Sequence, residues 1–585
     1  MKKQKLALIL LVLIFLISTS ARLSLLKTHF GHLDDLGVAA TILSAKRNPP
    51  TIDSLLAEGK VRTSSRSASP RLKALATISA NPFGKRVLQA LMLVFPYLAV
   101  PLYWTYAPLQ FIVTSLLLNL DQSYESIKFW GRFPSLISSS FAMFFMVALA
   151  QKIQSRQWIT WSLLLVSPLA FSLEISIMSS QMHNYALGVA VAAGVLWLAV
   201  KDAKQIDQPR EKNFWLRRVF LWALALYSIY QSILLLPGYL AAQIGASMHL
   251  PFRQRRLVIG KWCNLGIVIV LIFLPAYLFR VQTTAAISWN AGPNQEFLFH
   301  NDGSFLVSAV RYFAVNGPIV IGSIMTPAVQ NSAGHSIWTP LFSVFVVIGI
   351  LRSLVLLYRK DTKVSLKALC CASLVGLAVL VVAVLSQKLV LSPTRHLTLY
   401  APILTVLFAQ GLVSLVSLHN KLSLSFVAVM MTMALGFTFL SGFTTFRLER
   451  QDLFTENILT TLVERERPDL VISMSTEALL MPSLRAKVPI YSHTDLMQAT
   501  GGARDFLKEL YPNSKRILIV GTSPLNIETC PLCNDLFKKS ISSRFDVHLV
   551  RTLIDQQTDT EIELSRHTRN GPKGIFVGLF DEPPQ

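Results

Sequence analysis

The sequence predicts a mainly α, multi-pass membrane protein with a small α/β domain at its C-terminal end, and three observations carry that prediction. Of 585 residues, 52% are hydrophobic and only 15% charged, less charge than a soluble chain of this length carries. Apolar runs of membrane-spanning length recur through about the first 445 residues. Beyond that point the runs shorten and alternate with helical stretches. The chain therefore divides into a membrane part, 1–444, and a tail, 445–585.

About eleven spans are expected, near 6–26, 133–151, 157–174, 183–200, 216–233, 235–250, 262–279, 338–358, 366–386, 397–416 and 423–443. The first, in MKKQKLALILLVLIFLISTSA, has the basic start, apolar run and small residues of a secretory signal. It is read as an uncleaved anchor, because the run continues through Leu23 to Leu26 and many spans follow.

The formal charge is +23, from 55 Lys+Arg against 32 Asp+Glu. In a soluble protein that excess would point to nucleic acid, but no basic-aromatic recognition module is visible. Much of it falls instead in short loops. With MKKQK in the cytoplasm, the basic segments 151–157, 201–218, 251–256, 358–367 and 419–423 all fall on the same side, which is the positive-inside pattern. Segments 27–132, 175–182, 280–337, 387–396 and the tail then face outward from the cytoplasmic (inner) membrane. The first outer loop, 27–132, is itself basic, and the charge rule weakens for loops this long. Its apolar stretches 87–103 and 107–120 form either a spanning hairpin or helices lying in the interface, interrupted by Pro96, Pro101 and Pro108. The loop 280–337 is rich in turn formers and aromatics and could close as a lid.

The spans hold few charges. Arg352 is near enough to a cytoplasmic end to snorkel, and Glu174 closes its span at the outer face. This scarcity counts against an ion-coupled transporter. Of five cysteines, Cys263, Cys370 and Cys371 lie in apolar runs, whereas Cys530 and Cys533 form a lone CxxC in the tail. A lone pair is half a zinc site, and a local disulfide suits an exterior tail better. In the tail, 469–475, 488–493, 516–523, 545–552 and 574–580 read as short buried strands. Helical stretches near 476–486, 494–510 and 533–541 separate the earlier ones, which predicts a parallel sheet with helices on both faces. The "VGTSPLN" after the third strand is a weak anion-site signal at a helix start.

Several segments then line up in order. The pair Asp34-Asp35 follows the first span; "TYAPLQF" (105–111) precedes an amphipathic stretch; "ESIKFWGRFPSLI" (125–137) opens the second span; "SSQMHNYALG" (179–188) opens the fourth; "SPTRHLTLYAPIL" (392–404) opens a late one. This order resembles the GT-C class of membrane glycosyltransferases, in the branch containing protein O-mannosyltransferases and the bacterial aminoarabinose transferase that modifies lipid A. That branch carries an acidic pair in its first outer loop, then "PPL", "RLPS" and a late "R-Y...P" segment. The resemblance covers roughly 1–445. Two departures stand out: Tyr106 replaces a basic residue before "APL", and His396 replaces an aromatic after the late arginine.

The resemblance implies a GT-C fold and an inverting transfer from a polyprenyl-phosphate-linked sugar to a hydroxyl on a lipid, glycan or protein. That chemistry needs a carboxylate to take the hydroxyl proton and a cation to meet the leaving phosphate. Asp34 matches the base. Asp35 would orient it or hold a divalent metal, Mg or Mn before Zn, with His29 and His32 near enough in sequence to complete the site. Without that role the pair is a helix cap and the histidines are interfacial. Arg395 would bind the lipid phosphate, or anchor its span end by snorkelling. Arg132 would anchor the second span or add a donor contact. Tyr106, Pro108 and His396 would shape the cavity. Glu174 would serve a metal or the acceptor, or be a solvated helix end. The rivals are a ligase or polymerase that moves whole glycans from lipid diphosphate, and a non-enzymatic lipid-glycan flippase or transporter.

Overall fold

The computed structural model describes residues 2–28, 38–39, 42–43, 81–86, 89, 108–119, 122–206, 213–248, 250–277, 298–301, 303–327, 338–387, 389, 391, 394–419, 423–449, 460, 463–464, 467–473, 487–492, 516–521, 546–549 and 576–581. The chain divides into two compact units. One comprises Met1–Leu25, Pro50–Thr114 and Arg132–Thr444; the other comprises Leu26–Pro49, Ser115–Gly131 and Thr445–Gln585.

Fourteen helices carry the argument among the described residues. They are α1 (Lys2–Thr28), α2 (Pro108–Leu117), α3 (Tyr124–Ile153), α4 (Trp158–Ala170), α5 (Leu173–Ser179), α6 (Tyr185–Lys204), α7 (Phe214–Ser228), α8 (Leu236–Ser247), α9 (Phe252–Ala276), α10 (Phe305–Met325), α11 (Trp338–Tyr358), α12 (Val364–Leu385), α13 (Ala401–Leu418) and α14 (Leu424–Glu449). Nine described helices are long and apolar enough to cross a membrane. Such helices keep every backbone hydrogen bond internal, which an apolar solvent demands. Their outward faces stay apolar, with Leu6, Ile9, Phe144, Leu271 and Phe437 exposed. In α6 and α13 the apolar windows are 72% buried, so these two helices form the middle of the membrane unit.

Close backbone crossings lock that middle. Gly349 of α11 and Gly411 of α13 face each other: a Cβ on either would strike the backbone of the opposite helix, at Leu407 and Phe345 respectively. Small residues at such a crossing let two spans approach without a hydrophobic driving force. Gly238 of α8 meets α12 in the same way, a Cβ there lying 2.6 Å from the Ala372 carbonyl.

The expected span 157–174 is broken. Helices α4 and α5 meet at a 68° bend, so Glu174 opens α5 rather than closing a span. Ser172 starts the new helix by accepting from the Ile175 N–H at 3.1 Å. The break orphans carbonyls at the end of α4, and α1 satisfies them. Arg22, fully buried, donates from Nη2 to Leu169 O at 2.8 Å and to Ala170 O at 3.3 Å, and the Ser18 hydroxyl donates to Ala170 O at 3.0 Å. A cation at a helix C-terminus also meets the negative end of its dipole.

The expected spans 216–233 and 235–250 form a tight hairpin. Helix α7 has 15 residues and α8 only 12, with a six-residue 3-10 turn, Tyr230–Leu235, between them. Turn and α8 together reach about 30 Å, enough for the return leg. Helix α2, with ten residues, is about 15 Å long and too short to cross by itself. The companion stretch 87–103 lies outside the described residues, apart from Gln89.

Helix α10 falls where an outer loop was expected, and it is 21 residues long. Its bonds tie it to the ends of α4 and α12. Helix α4 starts just after Gln154, and α12 starts beside it, since the Lys363 ammonium donates to Gln154 Oε1 at 2.9 Å. Gln387 follows the end of α12, and Ser172 follows the end of α4, where the chain bends into α5. Both hold α10. Ser172 donates to Ile324 O at 2.6 Å, Leu173 N–H to Thr326 O at 3.1 Å, and Gln387 Nε2 to Phe299 O at 2.8 Å. Phe299 in turn packs 5.7 Å from the rings of both Phe305 and Tyr312. By length and composition α10 is itself one of the nine candidate spans.

In the tail all five expected strands are present: β1 (Leu470–Ser473), β2 (Ile490–Ser492), β3 (Arg516–Gly521), β4 (Asp546–Leu549) and β5 (Phe576–Asp581). The sheet order is β2-β1-β3-β5-β4. β1, β2 and β3 pair in parallel, but β5 is antiparallel to both β3 and β4. The expected all-parallel sheet is thus mixed, because β5 inserts between β3 and β4 instead of extending the edge. The tail helices and the Cys530–Cys533 pair lie outside the described residues.

Candidate functional site

All four later motif segments are represented in one set of contacts in the membrane unit, made through side chains of ordinary polarity. In α3 the stretch "RFPS" places Arg132 and Ser135 three residues apart, hence on one helix face. Both are fully buried. The Ser135 hydroxyl accepts from Gln110 Nε2 of α2 at 2.6 Å and lies 2.5 Å from Gln181 O and 3.1 Å from His183 O. One serine thereby ties α2 and α3 to the loop 180–184 between α5 and α6.

That loop belongs to "SSQMHNYALG". Every residue from Ser179 to Ala186 is buried, Gln181, His183 and Asn184 included. A buried loop survives only where its polar groups find partners. Asn184 Nδ2 donates to Ser228 O at the end of α7 at 3.3 Å, and the His183 ring lies 5.3 Å from that of Tyr185. Immediately after it, Gly188 lets the first turn of α6 approach two neighbours. A Cβ there would sit 2.8 Å from Ile229 and 3.7 Å from Leu399. Leu399 belongs to the 3-10 turn Thr394–Tyr400, which leads into α13 and is the last of the four segments. Among the described residues, the buried polar atoms Gln110 Oε1, Thr114 Oγ1 and Tyr400 Oη have no hydrogen-bond partner, which is costly by about 1–3 kcal/mol each.

The expected site residues fare as follows. Arg132 is a buried cation on α3, beside the seam its own helix makes with the loop. Glu174 is half-buried in the first turn of α5, where a carboxylate is favoured by the helix dipole. Arg395 and His396 open the 3-10 turn, and Pro108 opens α2; only their backbone is described. Asp34, Asp35, His29, His32 and Tyr106 lie outside the described residues. Among the described residues no group of three or more His, Cys, Asp or Glu could hold a metal ion.

The sequence reading missed several polar groups. Lys128, one turn before Arg132, is also buried, its ammonium 4.3 Å from the centre of the Tyr124 ring. The 4-then-3 spacing of Lys128, Arg132 and Ser135 was the available signal. Gln110 and Asn184 lie in two of the segments singled out above, but nothing local marked their partners, 25 and 44 residues away. A second cluster was hidden in the basic segment 201–218. Asp202 is fully buried in the last turn of α6 and receives Arg218 Nε at 2.7 Å and Nη2 at 2.5 Å. The Tyr239 hydroxyl donates to the same carboxylate at 2.7 Å. Arg218 lies over the Phe214 ring at 4.4 Å, and Trp222 and Trp262 pack on Tyr239. The loop is therefore shorter than expected, and its two ends are buttoned by a bidentate ion pair.

No family model and no curated protein matches the chain. Among solved structures it is similar to ArnT from Cupriavidus metallidurans in the apo state, at 13% identity and a TM-score of 0.43, over 99% of this chain and 98% of that one.

Proposed function

We propose that the chain is an inverting glycosyltransferase of the cytoplasmic membrane. It would move a sugar from a polyprenyl-phosphate donor to a hydroxyl on a lipid, glycan or protein at the outer face. The observation that carries this reading is the meeting of the "RFPS" stretch, the loop 180–184 and the 3-10 turn Thr394–Tyr400 around the first turn of α6. These segments are distant in sequence, and they are the ones whose order resembles the GT-C class.

In the proposed reaction the acceptor oxygen bonds to the anomeric carbon as the bond from that carbon to the phosphate oxygen breaks. The phosphate leaves with the bonding pair and meets the guanidinium of Arg395, with Arg132 adding positive charge. Asp34 takes the proton from the acceptor hydroxyl, and Asp35 orients Asp34. Single displacement inverts the anomeric centre. His29, His32 and Asp35 would be the metal ligands if a divalent ion takes part. The flippase reading requires a charged path through the spans.

The test uses the full chain in vesicles with radiolabelled polyprenyl-phosphate monosaccharides and a hydroxyl acceptor. Asp34→Asn should lose roughly 10²–10⁴-fold in transfer, the range of a general base, while donor binding persists. Full activity in that variant would remove the base. Transfer only from lipid diphosphates would favour the ligase, and lipid translocation without transfer would favour the flippase.

A further inference from the structure

We propose that the membrane unit binds the phosphate headgroup of an anionic phospholipid in a basic pocket at the start of α12, the end away from Gln387. The pocket has a volume of about 320 Å³ and is lined by Ile153, Ser155, Lys204, Ile206, Lys363 and Ser365, among others. It lies where α3 and α6 end and α12 begins, away from the four motif segments.

Two features give it affinity for an anion. Lys204 and Lys363 line it from different helices, and Lys152 of α3 stands close enough that its charge and that of Lys363 bear on Lys204. Like charges gathered this way repel until an anion comes between them. The second feature is the start of α12. Lys363 holds the N-cap position without capping by its side chain, and the first two residues of the helix, Val364 and Ser365, line the pocket. A long helix presents both unpaired donors and the positive end of its dipole there. The nearby carboxylate of Asp202 is committed to Arg218 and Tyr239.

Position and lining favour a lipid over free phosphate. The pocket sits at the ends of spanning helices, the level at which headgroups lie. Apart from Ser155 and Ser365, the rest of its wall, Ile153, Ala203, Ile206 and Val364, is apolar. A glycerol backbone and upper acyl carbons match that mixture, and basic pockets between spans at the cytoplasmic surface have this use.

The experiment uses full-length protein in a neutral detergent, with phosphatidylglycerol, phosphatidylcholine or inorganic phosphate added. Bound lipid is counted by native mass spectrometry, and the unfolding midpoint is followed alongside. Phosphatidylglycerol should stay bound and raise the midpoint; phosphatidylcholine should do neither. Lys204→Gln and Lys363→Gln should each weaken the lipid about fivefold. Lys204→Arg, which keeps the charge, should retain it and guards against a variant that merely misfolds. Arg359→Gln, a cation on the same side outside the pocket, should leave retention unchanged. Equal retention in the glutamine variants, or an equal loss in Arg359→Gln, would overturn the site. Stabilisation by inorganic phosphate alone, equal to that by the lipid, would overturn the lipid assignment.

Discussion

Arg218 and Asp202 show what one residue can fix in a chain whose surroundings cannot solvate it. Removing two charges from water costs several kcal/mol apiece, and only close, bidentate geometry with further hydrogen bonds repays it. Here Tyr239 supplies the further bond, and the rings of Phe214, Trp222 and Trp262 join it in excluding water. Asp202→Asn should leave the guanidinium buried and uncompensated, at a cost of about 3–5 kcal/mol. Thermal unfolding in detergent reads this as a large fall in midpoint. A paired change, D202N with Arg218→Met, should recover much of the loss, because the stranded charge is then gone. No recovery would mean that the pair holds the loop by geometry that apolar packing cannot replace.

At the scale of elements, the apolar runs made the helices legible, since length and hydropathy are properties of a local window. The interruptions were not. Nothing in "SPLAFSLEIS" distinguishes a straight span from the 68° break at Phe171–Ser172, because what permits the break is Arg22, about 150 residues away. The same holds for β5, whose place between β3 and β4 depends on pairing that no alternation encodes. Glycines are intermediate: they are visible in sequence, but their meaning is set by what faces them. Gly411→Ala should strike the Phe345 carbonyl across the α11–α13 crossing and destabilise, by about 1–3 kcal/mol as overpacking does. Gly260→Ala meets nothing within 4 Å on α9 and should instead stabilise, by up to about 1 kcal/mol from helix propensity. Opposite signs in the two unfolding curves would confirm that the first glycine is a packing contact. Equal effects would mean the helices adjust at the crossing.

At the scale of the whole chain, everything depends on which ends share a side, and α10 decides it. Its composition alone passes as a twelfth span and would invert every later loop, placing the basic segment 358–367 with the outer loops. Bonds from Ser172 and Leu173 hold its end and a bond from Gln387 holds the segment before its start, and the positive-inside pattern predicts that α10 does not cross. The sequence reading took this segment for an outer loop, and labelling tests the parity that follows from it. A cysteine-free background with Ser304→Cys or Gly334→Cys, flanking α10, should react with an impermeant maleimide added to intact cells. Lys360→Cys, in the exposed turn between α11 and α12, should react only after the cells are opened. If Ser304→Cys and Gly334→Cys label from opposite sides, α10 crosses the bilayer, and the late arginine at 395 then stands opposite Asp34. A proton acceptor and a phosphate-binding cation separated by the membrane cannot act on one sugar, so that outcome would end the transferase proposal as well as the topology.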